Sequence, residues 1–206
     1  MQTILAIGAH PDDIELGCGG TLAIHKMNGD KVYLLVLTRG EASGDPKVRE
    51  MECRKAADML GVDGLFFGGL EDTKVYDGIE TILVIEKFID RVEPDLIYTQ
   101  TFKDTHQDHR NTAYATLSAG RRCKKILMYE GASTLRDFAA EVFTDITKSF
   151  ELKKRMTRVF GSQINNKRGG YSSASKAIVG LASFRGYQAG VEVAEAFEVG
   201  KFILEV

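Results

Sequence analysis

The chain has 206 residues, 44% apolar and 27% charged, with a formal net charge of −2. That length corresponds to one domain with a core of its own, and the composition is that of an ordinary soluble globular protein. The near-zero charge gives no global field to recruit nucleic acid or an anionic membrane, and no apolar stretch approaches the ~20 residues of a spanning helix. Cys18, Cys53 and Cys123 are odd in number and widely spaced, without a C-x-x-C pair or a disulfide framework, which fits a reducing cytoplasm. The first residues lack a basic n-region and their apolar run breaks at His10, so neither a signal peptide nor an anchor is expected.

In chain order, residues 3–9 (TILAIGA) read as a buried strand that ends in His10-Pro11-Asp12-Asp13-Ile14. Helices are expected over residues 15–28, 47–60, 78–92 and 108–121, with Gly29 and Gly61 where helix C-caps belong. Strands are expected between them at 31–38, 64–67, 95–100 and 124–129. A second ionisable cluster, His106-Gln107-Asp108-His109, follows the strand at 95–100. After Gly131 the pattern changes: a strand at 141–147, a charged amphipathic helix at 148–160, and a polar Gly-rich stretch at 161–175 (GSQINNKRGGYSSAS). That stretch reads as a mobile loop, with Gly169-Gly170 as a candidate lid. A helix at 177–184 and a strand at 194–204 follow. The alternation predicts a parallel sheet with helices on both faces. Ligands of such sheets bind at the carboxyl ends of the strands, where both clusters and the loop at 39–45 (RGEASGD) fall.

The first cluster delivers an imidazole and two carboxylates within four positions. Buried strands do not usually end in three ionisable groups without something to compensate the charge. A divalent metal does so most simply, because neutral imidazole and carboxylate are natural zinc ligands. A catalytic zinc keeps three protein ligands and a position for water. His10 and Asp13 are three apart, so one turn can aim both at one ion, and His106 and His109 share that spacing. His10, Asp13 and one histidine of the second cluster are therefore expected as ligands, leaving the other histidine for acid or oxyanion duty. In a helical turn Asp12 faces away from Asp13, and beside an activated water it would be the general base. Asp108 would orient the free histidine. This is equipment for metal-assisted hydrolysis of an amide or ester.

Each cluster alone has an ordinary explanation: Asp12 and Asp13 as N-cap and first-turn residues favoured by the helix dipole, the histidines as a surface pair. Their joint placement at two strand ends argues for one shared site. Gly17, Gly19 and Gly20 lack the G-x-G-x-x-G spacing, and two carboxylates would repel a pyrophosphate there. Close packing of the first helix on the sheet explains them better. The basic groups Arg121, Arg122, Lys124, Lys125 and Lys153, Lys154, Arg155, Arg158 read as solvated helix ends.

At these residues the chain resembles the zinc-dependent de-N-acetylases related to N-acetylglucosaminyl-phosphatidylinositol deacetylase, the LmbE-like or PIG-L family. The likeness runs along residues 10–22 (HPDDIELGCGGTL), 37–41 (LTRGE), 49–60 with Arg49 and Glu52, Gly69-Leu70-Glu71-Asp72, Pro94-Asp95 and 106–110 (HQDHR). It covers a core of about residues 1–130 of a single domain, and residues 131–206 depart more. Val193 stands where many relatives carry a tyrosine.

The resemblance implies a Rossmann-like three-layer α/β/α fold with a mainly parallel sheet and no dinucleotide. It implies Zn2+ as cofactor, with His10, Asp13 and His109 as ligands and Asp12 as general base. His106, protonated and supported by Asp108, is implied as the oxyanion or acid histidine. Arg49 and Asp72 match positions near the sugar; the alternative for Arg49 and Glu52 is an i,i+3 surface ion pair worth about 0.2–0.5 kcal/mol. The implied reaction removes acetate from an N-acetylglucosamine-type acetamido sugar conjugate. Hydrolysis of another acyl or thiol-conjugate amide, or metal-dependent sugar binding with little turnover, are the alternatives. The implied partners are a small-molecule sugar conjugate and further copies of the chain, as a trimer or hexamer in the cytoplasm.

Overall fold

The computed structural model describes residues 1–164 and 171–204. The order is β1 (Thr3–Gly8), α1 (Asp13–Met27), β2 (Lys31–Val36), α2 (Pro46–Leu60), β3 (Gly64–Phe67), α3 (Ile79–Val92), β4 (Leu96–Gln100) and α4 (Gln107–Ala119). There follow β5 (Lys125–Tyr129), β6 (Val142–Asp145), α5 (Phe150–Arg158), the single turn α6 (Gly161–Ile164), α7 (Tyr171–Ala189) and β7 (Ala194–Phe202). β1 and β4 are buried almost without a break rather than at alternate residues, as strands covered on both faces are.

The strands form one sheet in the order β3-β2-β1-β4-β5-β7-β6. The first five run parallel, with Ile4 paired to both Val32 and Leu96. Ile4 and Ala6 pack on one face with Ile14, Leu22, Cys53 and Met156 of α1, α2 and α5. Leu5 and Ile7 point the other way, onto Ile85, Phe88 and Ala115 of α3 and α4. The chain leaves β1 toward β2 on one side and returns to β4 on the other, so the loops after β1 and β4 open a crevice between them. Both ionisable clusters lie there.

Local chemistry fixes the elements around this crevice. Asp45 Oδ1 accepts the Lys47 N–H at 2.8 Å and Pro46 opens α2, while Gly61 closes it at φ 73°. At Gly17 a Cβ would lie 2.1 Å from Tyr129 Cδ2, so α1 approaches β5 as closely as its glycines allow. The Tyr129 hydroxyl donates to the Ile7 carbonyl at 3.0 Å and locks that contact.

The sheet is mainly parallel, as expected, with β7 running antiparallel to β5 and to β6 at one edge. Two expectations are corrected. Helix replaces part of the expected polar loop, since residues 161–164 form α6 and α7 begins at Tyr171 and runs to Ala189. Packing of α7 on β6 and β7 overrides the weak helix propensity of its serines and glycines. The candidate lid at Gly169-Gly170 lies outside the described residues. Lys153 is not solvated: its ammonium meets Glu195 Oε1 at 2.5 Å with both side chains buried. The same carboxylate accepts the N–H groups of Gly20 and Thr21, tying β7, α5 and α1 together. Among the described residues no helix is long and apolar enough to cross a membrane.

Candidate active site

The strand ends are cross-braced by a residue the sequence did not single out. Gln100, last in β4, accepts the Ala9 N–H at 3.0 Å and donates to Asp13 Oδ2 at 2.9 Å. Asp13 Oδ2 also accepts the His10 N–H at 2.7 Å. The chain between them is not the helical turn expected. Asp12 sits at φ 104°, in left-handed backbone, and α1 begins only at Asp13. An L-residue held there costs about 1–3 kcal/mol, and the kink is what sends the two carboxylates apart.

His10, Asp13 and His109 meet at the centre. His10 Nδ1 lies 3.3 Å from Asp13 Oδ2, and His109 Nε2 lies 3.3 Å from Asp13 Oδ1. The outward nitrogens are also engaged. His10 Nε2 is 3.0 Å from Asp72 Oδ1 and 3.2 Å from Asp108 Oδ2, and His109 Nδ1 is 3.1 Å from Asp104 Oδ2. Carboxylates on the far nitrogen fix a histidine's tautomer and leave the near nitrogen free to bind a cation. Among the described residues two donor groups could hold an ion: His10, His106 and His109 each offer a nitrogen, and His10, Asp72 and Asp108 offer a second cluster, the ligand atoms of each lying within 4.8 Å of one another.

The second cluster departs from its expected wiring. The Asp108 carboxylate lies against His10 Nε2 and accepts the Thr73 N–H at 2.8 Å; it is the backbone N–H of Asp108 that reaches His106 Nδ1, at 3.2 Å. The reason is α4's first turn. His106 is its N-cap, so the ring faces the turn's free N–H groups. With Nδ1 accepting, a neutral His106 carries its proton on Nε2. Asp104, also unforeseen, organises the loop by accepting from His106 N–H at 2.8 Å and from the Ser133 hydroxyl at 2.9 Å. The D-x-H-x-D-H spacing of Asp104 to His109 was the available signal.

Arg49 and Asp72 are turned inward. Arg49 is 3% exposed. Its Nη2 donates to the Pro11 carbonyl at 2.8 Å and to Asp12 Oδ1 at 3.3 Å, and its Nη1 donates to Gly40 O and Ser43 Oγ. Gly40, at φ 66°, must be glycine, since a Cβ would fall 1.9 Å from that Nη1. The surface ion pair with Glu52 does not form; Glu52 instead accepts the N–H and hydroxyl of Ser162 at 2.8 and 2.6 Å. Asp72 is shared between His10 and the Ala42 N–H. A pocket of about 160 Å³ opens over His10, Asp12, Ser43, Arg49, Asp72 and His106.

The electrostatics follow from burial and pairing. Burial works against a charged His10, but its bonds to Asp108, Asp13 and Asp72 outweigh it and hold the imidazole well above its usual range. His109 is likewise raised, to about 9, by Asp13 and Asp104 against its burial. Burial opposes ionisation of Asp72, yet His10 brings it down to about 2, and the same balance with His109 lowers Asp104. His106 is lowered, by burial and by the cationic His109 and His10. Burial pushes Glu15, beneath Asp12 and Asp13, up to about 8, so it is mainly neutral near pH 7.

Residues 5–120 match the family described as GlcNAc-PI de-N-acetylase. The uncharacterised deacetylase YaiS of Escherichia coli K12 is 36% identical over 154 residues, covering 71% of this chain and 83% of that protein. The solved structure of the conserved protein TT1542 from Thermus thermophilus superposes with a TM-score of 0.90 at 27% identity, covering 100% of this chain and 98% of that one. The N,N'-diacetylchitobiose deacetylase of Pyrococcus horikoshii shares the fold, with a TM-score of 0.86 at 22% identity, covering 96% and 83%. The chain therefore belongs to the GlcNAc-PI de-N-acetylase family and is a deacetylase, a hydrolase of an amide C–N bond.

Proposed function

We propose that the protein removes the N-acetyl group of an N-acetylglucosamine-type sugar conjugate, with zinc held by His10, Asp13 and His109. The observation that carries this is the facing of two imidazole nitrogens onto one carboxylate, each ring braced from behind by another carboxylate. Two histidines and an aspartate suit zinc in a site that keeps a position open. A bound zinc would supply Lewis acidity toward water and the amide carbonyl.

The chain's own groups do the rest. Asp12, on the pocket wall and held by Arg49, takes a proton from the attacking water. Water oxygen bonds to the acetyl carbon, and the developing oxyanion receives the Nε2–H of His106, whose Nδ1 is occupied by the Asp108 N–H. A neutral imidazole suffices as that donor, in place of the protonated ring first expected. The C–N bond then breaks, the nitrogen takes the proton that Asp12 carried, and free amine and acetate leave. The polar walls formed by Asp72, Ser43 and Thr73 suit a hydroxylated ring. Diacetylchitobiose, substrate of the Pyrococcus relative, belongs to the same acetamido-sugar class.

The test is acetate release by zinc-loaded protein from N-acetylglucosamine and its inositol, malate, lipid-linked and nucleotide-linked forms. One conjugate is expected to release acetate, with turnover falling about 100-fold or more in Asp12→Asn while zinc stoichiometry is kept. No release from any of them, with metal content confirmed, would favour a sugar-binding protein instead.

A further inference from the structure

The backbone ladder between β1 and β4 stops short of the site. Its last pairing is Ala6 with Tyr98, and past it a side chain takes over from the backbone. Gln100 is 3% exposed, and its Oε1 accepts the Ala9 N–H at 3.0 Å. The other end of the same amide, Nε2, donates to Asp13 Oδ2 at 2.9 Å. Neither contact survives a flip of the amide, because the Ala9 N–H can only donate and an ionised Asp13 can only accept. Gln100 therefore stands in one fixed orientation, with its N–H toward Asp13.

The two oxygens of Asp13 are not equivalent as a result. Oδ2 takes the Gln100 N–H and also the His10 backbone N–H, at 2.7 Å. A carboxylate oxygen has about two lone-pair sites, and hydrogen bonds to an ionised acceptor are roughly twice as strong as neutral ones. His10 Nδ1 lies 3.3 Å from the same oxygen, beyond the range of a good hydrogen bond. Oδ1 receives neither N–H and lies 3.3 Å from His109 Nε2. One oxygen is thus held by the protein, and the other is left open toward His109.

We infer that Gln100 is a positioning residue that makes Asp13 a one-oxygen ligand. This rests on the reading of His10, Asp13 and His109 as the zinc ligands. A carboxylate free to turn can grip an ion with both oxygens, and so fill the position that a catalytic ion keeps for water. With Oδ2 occupied by two N–H groups, Asp13 gives only Oδ1 and that position stays open. Glutamine suits the task because one planar group carries both the acceptor that Ala9 needs and the donor that Asp13 needs.

The experiment compares the wild-type protein with Gln100→Met, which keeps the length of the side chain and removes both polar ends. Zinc affinity is measured on metal-free protein by competition with a chelator. The visible absorption of cobalt-loaded protein reports the coordination, because cobalt absorbs less strongly as its coordination number rises. Gln100→Met is expected to bind zinc about 10- to 100-fold more weakly and to give a weaker cobalt band as both oxygens of Asp13 join the ion. Gln100→Asn, an amide one methylene too short to hold both partners, is expected to shift in the same direction and decides the matter if Gln100→Met does not fold. A lowered melting temperature with wild-type zinc affinity and a wild-type cobalt band would reduce Gln100 to a brace between strands and overturn the inference. Wild-type protein that takes up neither metal would overturn the ligand reading as well.

Discussion

Asp12 is the residue on which the site turns, and its conformation comes from its neighbours. Its backbone lies at φ 104° without the freedom of glycine, a strain that persists only where the surroundings over-determine it. Arg49 supplies much of that determination by binding both the Pro11 carbonyl and Asp12 Oδ1. The resemblance placed Arg49 near the sugar, whereas its guanidinium is engaged by four protein oxygens. The two roles separate kinetically. In Arg49→Met, which keeps the aliphatic stem, loss of positioning is expected to lower kcat by about 10- to 100-fold with KM little changed. A rise in KM at constant kcat would return Arg49 to the role of sugar contact. Zinc content measured on the same sample shows that the ligand set survived.

Helix α1 carries the site at one end and a charged clasp at the other. The expected helix began at Glu15, whereas α1 begins at Asp13, because no sequence pattern announces a left-handed aspartate. Its glycines were legible: packing against Tyr129 is the close approach they were read for. At the far end Asp63 Oδ2 accepts Lys26 Nζ at 2.6 Å and the Val32 N–H at 2.8 Å, joining α1 to β2. Burial opposes ionisation of Asp63 slightly, but Lys26 and the Val32 N–H lower its pKa below the ordinary value. A carboxyl depressed on folding contributes stability that is present above its unfolded pKa and is lost as pH falls through the folded one. Asp63→Ala is therefore expected to cost about 1 kcal/mol or less at pH 7, the pair being partly exposed and screened. In urea melts the gap between the two proteins should close below roughly pH 4. A gap that stays constant down to pH 2 would mean that Asp63 acts through packing and not through its charge.

At the scale of the whole molecule, the sheet from β3 to β5 and its four helices were readable because the strands are short, mostly apolar runs and Gly29 and Gly61 mark where the first two helices stop. The far edge was not, since β7 and β6 pair antiparallel through long-range contacts that no local period encodes. In the site, ionisable residues at two strand ends pointed to one centre, but Asp104, Gln100 and the assignment of Asp108 to His10 depend on a loop geometry that spacing does not report. What results is a ring of carboxylates and imidazoles drawn from the loops after β1, β3 and β4 and from the first turns of α1 and α4, so a cation there would bind the folded chain and not the unfolded one. Ligand that binds only the native state stabilises it by mass action, about 2.7 kcal/mol at a hundredfold excess over Kd. For a domain of this size each kcal/mol moves the melting temperature by about 2–4 °C. Zinc added to chelator-treated protein is thus expected to raise Tm by roughly 5–10 °C, and His10→Ala, lacking a ligand, should show little of that rise. An equal rise in both proteins would place the zinc elsewhere, and no rise in either would count against a resident ion at this centre.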